Sequence, residues 1–167
     1  SSDLKNLQKA SVETISETIS MLNTKGVSEN VTVSIYGWIG TYPTTRGMKK
    51  EINEFSDNYL AIFAHNKMGL RNVLPIVGKN RVYESYIVGN LYIDAFEEPD
   101  FPDMAGTNRQ GYNESDPRWE CALKYIRELV DKAVKLHETF AVAERATKES
   151  EKERKKEEEE RSLREKL

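Results

Sequence analysis

From Asp3 to Asn23 the apolar residues Leu4, Leu7, Val12, Ile15, Ile19 and Leu22 recur at mostly helical spacing, with Asn23 and Gly26 as a stop. That spacing predicts an amphipathic helix. The period then changes. In "VTVSIYGWIG", residues 31 to 40, Val31, Val33 and Ile35 alternate with Thr32, Ser34 and Tyr36, as in a half-buried strand. Residues 41 to 57 hold Pro43, Gly47 and six charges without a sustained period, which predicts a surface loop. "NYLAIFAH" reads as a strand that turns at "NKMG" into "LRNVLPIVG", where Pro75 argues against a long central strand. "YESYIVGNLYIDAF" is the strongest strand pattern. Ile87, Gly89, Leu91, Ile93 and Ala95 share one face and Tyr86, Val88, Tyr92 and Phe96 the other, so both faces are expected to be covered.

A loop with two prolines and two glycines follows, "EEPDFPDMAGTNRQGYNES". Asp116 then suits a helix N-cap, and Pro117 suits the first helical position, which needs no amide donor. Trp119, Leu123, Ile126, Val130, Ala133, His137 and Phe140 step by 4, 3, 4, 3, 4 and 3, a seam for the sheet or for a partner helix. Residues 147–167 carry eight acidic and eight basic side chains. Pairs four apart, such as Glu151 with Lys155, can support a solvated helix there. The expected organisation is an N-terminal linking helix (1–28), one α+β domain (29–146) and a charged helical extension (147–167).

Composition narrows the function. The 167 residues are 38% hydrophobic and carry a net charge of -3, which gives no global pull toward nucleic acid or acidic membranes. No apolar run approaches the roughly 20 residues that span a bilayer, so a cytoplasmic, non-membrane protein is expected. The opening Ser-Ser-Asp is what a fragment of a longer protein would show. Cys121 is the single cysteine, and His65 and His137 are too far apart in sequence for metal-ligand spacing, so no metal site is expected. Gly78-Lys79 is followed by Asn80, with Val73 in place of the earlier glycine, which excludes a phosphate loop. Cys121 lies off the seam and reads as an inert thiol, His137 as a satisfied seam histidine, and Glu97, Glu98, Asp100 and Asp103 as an acidic solvated loop. Arg109, between Asn108 and Gln110 in a glycine-flanked loop, reads from the pattern alone either as a surface arginine or as a planar donor fork for a phosphate from outside the domain.

Taken in order, "GWIGT" at 37 to 41, "LAIFAHNKMGL", "RVYESYIVGNLYIDAF", "NRQ" and "NESDPRW" resemble one family over about residues 31 to 135. They look like the transducer, or middle, domain that follows the ATP-binding domain in a bacterial group of GHKL ATPases. That superfamily includes heat shock protein 90-like chaperones and MutL, with MORC proteins as relatives. The resemblance implies a sheet like that of the second domain of ribosomal protein S-five, mostly antiparallel with a left-handed crossover and flanking helices. It implies that Arg109 reaches the terminal phosphate of ATP held by a preceding N-terminal domain, with Gln110 as a neighbouring contact and Asn108 shaping the loop. Relatives often carry serine where Asn108 stands, and some carry lysine for Arg109. ATP and Mg would belong to the parent protein. The glycine-rich motifs of the ATP-binding domain are absent here, so this fragment is expected to be non-catalytic and to bind no nucleotide tightly. Two further roles stay open: a scaffold forming a homodimer through the Trp119 to Phe140 seam and the charged extension, and a nucleic-acid-binding module using Lys49, Lys50, Lys67, Arg71, Lys79 and Arg81.

Overall fold

The computed structural model describes residues 8–44, 57–105 and 111–166. They form an α+β arrangement, a mixed five-stranded sheet with a long C-terminal helix across one face. In chain order the strands are β1 (Gln8–Leu22), β2 (Ser28–Thr41), β3 (Tyr59–Ala64), β4 (Lys67–Leu70) and β5 (Ile87–Tyr92), and their order in the sheet is β1-β2-β5-β3-β4. All pairings are antiparallel except β3 with β5, which run parallel.

Where the N-terminal linking helix is expected, the described residues Gln8–Leu22 form a strand instead, and residues 1–7 lie outside the described residues. Ile15 and Ile19 are four apart, a spacing that satisfies a helical face and a strand face equally. The residues between them decide the matter. Thr14, Ile15, Thr18 and Ile19 are β-branched, and Ile15, Glu17, Ile19 and Met21 turn inward while Ser16, Thr18 and Ser20 are exposed. The three-residue step from Val12 to Ile15 is absorbed by a β-bulge. Glu17, a charge on the inward face, hides the alternation from a purely apolar reading.

β1 and β2 form a hairpin closed at Asn23, whose backbone amide donates to the Val27 carbonyl at 2.8 Å, with Gly26 at φ 77. β2 follows its predicted alternation, with Val31, Val33 and Ile35 buried. At Gly37, φ 130, the strand passes so close to the Asn90 carbonyl that a β-carbon would collide with it. The β3–β4 turn falls on His65 and Asn66, both at positive φ (47 and 62), one residue before the predicted "NKMG". That is the two-residue hairpin geometry that fits strand twist. "LRNVLPIVG" does not continue as a strand. Leu74–Val77 is a single helical turn, α1, with Pro75 in its first turn.

β5 sits at the centre of the sheet, and Ile87, Val88 and Leu91 are buried, as expected of a strand covered on both faces. It is shorter than its apolar pattern because 3-10 turns at Val82–Tyr86 and Asp94–Phe96 bound it. The first turn is drawn in by the Glu84 carboxylate, which accepts from the backbone amides of Lys79 (2.9 Å) and Arg81 (2.9 Å) and from Arg81 Nε (2.9 Å). The 78–81 segment that fails as a phosphate loop is thus occupied by the chain's own carboxylate.

α2, Pro117–Glu165, lays the predicted seam on the sheet: Trp119, Leu123, Ile126, Val130, Ala133 and His137 are buried and Phe140 is half-buried. The seam is therefore closed by the chain's own core and offers no free face to a partner helix. From Val142 onward every described residue of the helix is exposed, yet it continues unbroken to Glu165.

Candidate functional site

Asn108, Arg109 and Gln110 lie outside the described residues, as do Lys49 and Lys50. The ends of the segment that carries the three are placed. Ala105 pairs with Tyr112 in an isolated antiparallel bridge, and the Asn113 amide donates to the Met104 carbonyl at 2.6 Å. The described residues on either side of 106–110 therefore stand together, a neck beside β4. Asp103 Oδ1 accepts from the Ala105 amide at 2.9 Å, and Met104 is 1% exposed, so the outgoing arm is anchored by a polar and an apolar contact.

The returning arm is held by rings. Tyr112 lies 4.7 Å from Phe96 and 5.8 Å from Trp119, centroid to centroid, and its hydroxyl occupies the space above Gly69 where a side chain would stand. The hydroxyl oxygen is buried and has no hydrogen-bond partner among the described residues. Burial, with the nearby Glu97 carboxylate adding to it, pushes its pKa up to about 12. Beside the neck is a pocket of about 160 Å³ lined by Lys67, Gly69, Glu97, Asp103, Ala105 and Tyr112.

The neck joins the helix through a residue the sequence reading passed over. Arg118 is fully buried. Its guanidinium donates to the carbonyls of Ala95 (2.9 Å) and Pro102 (2.7 Å), and to both oxygens of Asp116 (Nε to Oδ1, 3.0 Å; Nη2 to Oδ2, 2.8 Å). Asp116 also performs its predicted capping, accepting from the Arg118 amide at 2.9 Å. One buried pair thus ties the end of the sheet, the outgoing arm of the neck and the start of α2 together. A signal was present in the sequence: a cation in the first turn of a helix opposes the helix dipole, so it needs a local anion.

The other candidates divide. Cys121, expected off the seam, is buried because β1 covers that side of α2. Its thiol donates to Glu17 Oε2 at 2.8 Å, and burial first, then that bond, pushes its pKa up to about 12. This accounts for an inert thiol. His137 is buried, with Nδ1 3.0 Å from Thr41 Oγ1 and its ring against Tyr86 and Tyr83 at 4.1 and 4.7 Å. Burial lowers its pKa. His65 is exposed, 3.9 Å from Glu98, and Lys67 is 3.9 Å from Glu97. Lys79 and Arg81 share Asp131 on α2 at 3.5 and 2.9 Å, so these two cations are committed to an internal network. No group of acids, histidines and cysteine among the described residues could hold a metal ion, and no described helix is long and apolar enough to cross a membrane.

No family model matches the chain, and no solved structure matches it. Over 95 residues it is 30% identical to a protein of Herpetosiphon aurantiacus named "Putative type II restriction enzyme HgiDII". The match covers 57% of this chain and 15% of that protein, so the chain spans a small part of its relative's length.

Proposed function

We propose that this chain is the transducer domain of a GHKL-type ATPase, with Arg109 offered to the terminal phosphate of ATP on a preceding domain and Asn108 and Gln110 beside it. The observation that supports the reading best is the neck: the flanks of the segment carrying Arg109 are joined by the Ala105–Tyr112 bridge, and the returning flank leads into the Arg118–Asp116 clamp at the start of α2. A cation supplied from such a neck can stabilise charge on the phosphate as it leaves. The presence or loss of that phosphate then acts where the sheet and the long helix meet. A predominantly antiparallel sheet backed by a helix is compatible with the S-five-like fold that the resemblance implies. In this reading ATP and Mg belong to the parent, which works in the cytoplasm, and the isolated chain is not an enzyme.

The test is made in the longer protein. Arg109→Ala is expected to lower ATP hydrolysis by about a hundredfold or more with little change in ATP affinity. An unchanged turnover refutes the role, and micromolar ATP binding by the isolated chain refutes the division of labour.

The likeness to a protein named as a type II restriction enzyme favours one setting for such a parent. We place it in restriction, with DNA as the partner of the whole protein. Salt-sensitive binding of duplex DNA by the parent, and its response to ATP, tests that setting.

A further inference from the structure

The sheet has two unlike edges. β4, at one side, has four residues; β1, at the other, has fifteen, and among the described residues nothing pairs with its outer edge. A long unpaired edge presents a row of free amides and carbonyls, which a second strand can satisfy. β1 contains neither proline nor glycine. Its bulge lies between Val12 and Ile15, and its hairpin turn begins at Asn23, so the regular part runs from Ile15 to Leu22.

We propose that this edge pairs with the same edge of a second copy of the chain, antiparallel, about a two-fold axis at Thr18. Three features select that occupant and that register. Thr18 is the midpoint of Ile15 to Met21, so a two-fold there uses the regular stretch and leaves the bulge outside. The exposed face already carries paired hydroxyls across β1 and β2: Ser16 with Ser34 (2.8 Å), Thr18 with Thr32 (2.9 Å) and Ser20 with Ser28 (2.8 Å). In the proposed register Thr18 meets Thr18 and Ser16 meets Ser20 of the second copy, so the hydroxyl rows continue across the axis, a favourable cross-strand pairing. On the inward face Ile15 meets Met21, and Glu17 meets Ile19. Glu17, the charge that would otherwise guard this edge, is held by Lys124 at 3.1 Å. The contact is self-complementary and closes on itself, leaving no β1 edge to propagate. It does not depend on the ATPase reading and moves the expected homodimer away from the α2 seam, which the sheet already covers.

Analytical ultracentrifugation of the chain tests the pairing. The unaltered chain is expected to show a concentration-dependent dimer. Thr18→Lys and Thr18→Glu, each placing like charges opposite one another, are expected to weaken it by at least about tenfold. An equimolar mixture of the two is expected to restore association as a heterodimer. Thr18 is exposed, so circular dichroism and the thermal midpoint should show both variants folded. A chain that stays monomeric at every concentration, a Thr18→Lys variant that dimerises as tightly as the unaltered chain, or a mixture that fails to associate overturns the proposal. Association only with a strand of another protein would likewise overturn it.

Discussion

Arg118 Nη2 stands 2.8 Å from Asp116 Oδ2 in a pair of which neither side chain is more than 5% exposed. Removing one member of a buried pair leaves the other charged and unpaired, which costs more than the pair itself contributes. Arg118→Ala is expected to destabilise the chain by about 3 to 5 kcal/mol in urea denaturation. Arg118→Lys should recover little, because an ammonium cannot reach two carbonyls and both carboxylate oxygens from one planar fork.

Tyr112 presents the opposite case. Its hydroxyl is buried without a hydrogen-bond partner among the described residues, so the oxygen contributes desolvation cost and no compensating bond. Tyr112→Phe keeps the ring against Phe96 and Trp119 and is expected to leave stability unchanged or raise it by about 1 kcal/mol. Denaturant midpoints of the two chains decide it; a loss of stability would reveal a bond to the hydroxyl.

His137 makes the fold sensitive to mild acid. The ring contacts Thr41 on β2 and Tyr83 and Tyr86 on the 3-10 turn, the Tyr42 backbone bonds to it, and the charges of Glu138 and Glu144 on its own helix act on it. Burial outweighs the acidic neighbours and holds its pKa below the ordinary 6.5. As pH falls below 6.5 the unfolded chain takes up the proton first, so native stability declines from there down through the lower folded value. Glu17, Glu84 and Asp131 also have lowered pKa values, but from starting points of 4.5, 4.5 and 3.8, so their losses come at more acid pH. Stability measured from pH 7.5 to about 5 should therefore slope downward in the unaltered chain and flatten in His137→Phe.

Cys121 should resist thiol reagents. A thiol with a pKa of about 12, bonded to Glu17, is ionised at pH 8 to roughly one part in ten thousand. Iodoacetamide labelling followed by mass spectrometry is expected to be negligible in native buffer and complete in denaturant. Rapid native labelling would show that β1 opens from α2.

The parts legible in the sequence were those with a single consistent period. The β2 alternation, the covered β5 and the 4-3 seam of α2 with its Asp116 cap each point to one structure. β1 is ambiguous in the sequence because an Ile15–Ile19 spacing serves two periods and because Glu17 interrupts the inward face; the carboxylate is compatible with that face only because Cys121 and Lys124, more than a hundred residues away, meet it there. β5 is shorter than its apolar pattern because its ends are set by Glu84 and by the 3-10 turn at Asp94, polar decisions that an apolar pattern does not record. At the candidate site, the cap was visible and the clamp was not. Arg118 acquires its role from the carbonyls of Ala95 and Pro102, which only the folded chain brings to it.

α2 begins glued to the sheet and ends bare. The stretch from Val142 to Glu165 extends about 35 Å at helical rise, without contact to the sheet along the way. It works as a pointer whose pivot is the packed half. A bend of about 5° where the helix leaves the packed half, near Val142, displaces the far tip by roughly 3 Å over that length. Small adjustments of packing at that point thus become side-chain-sized displacements at the tip, and the mixed charge of the exposed half suits a solvated helix.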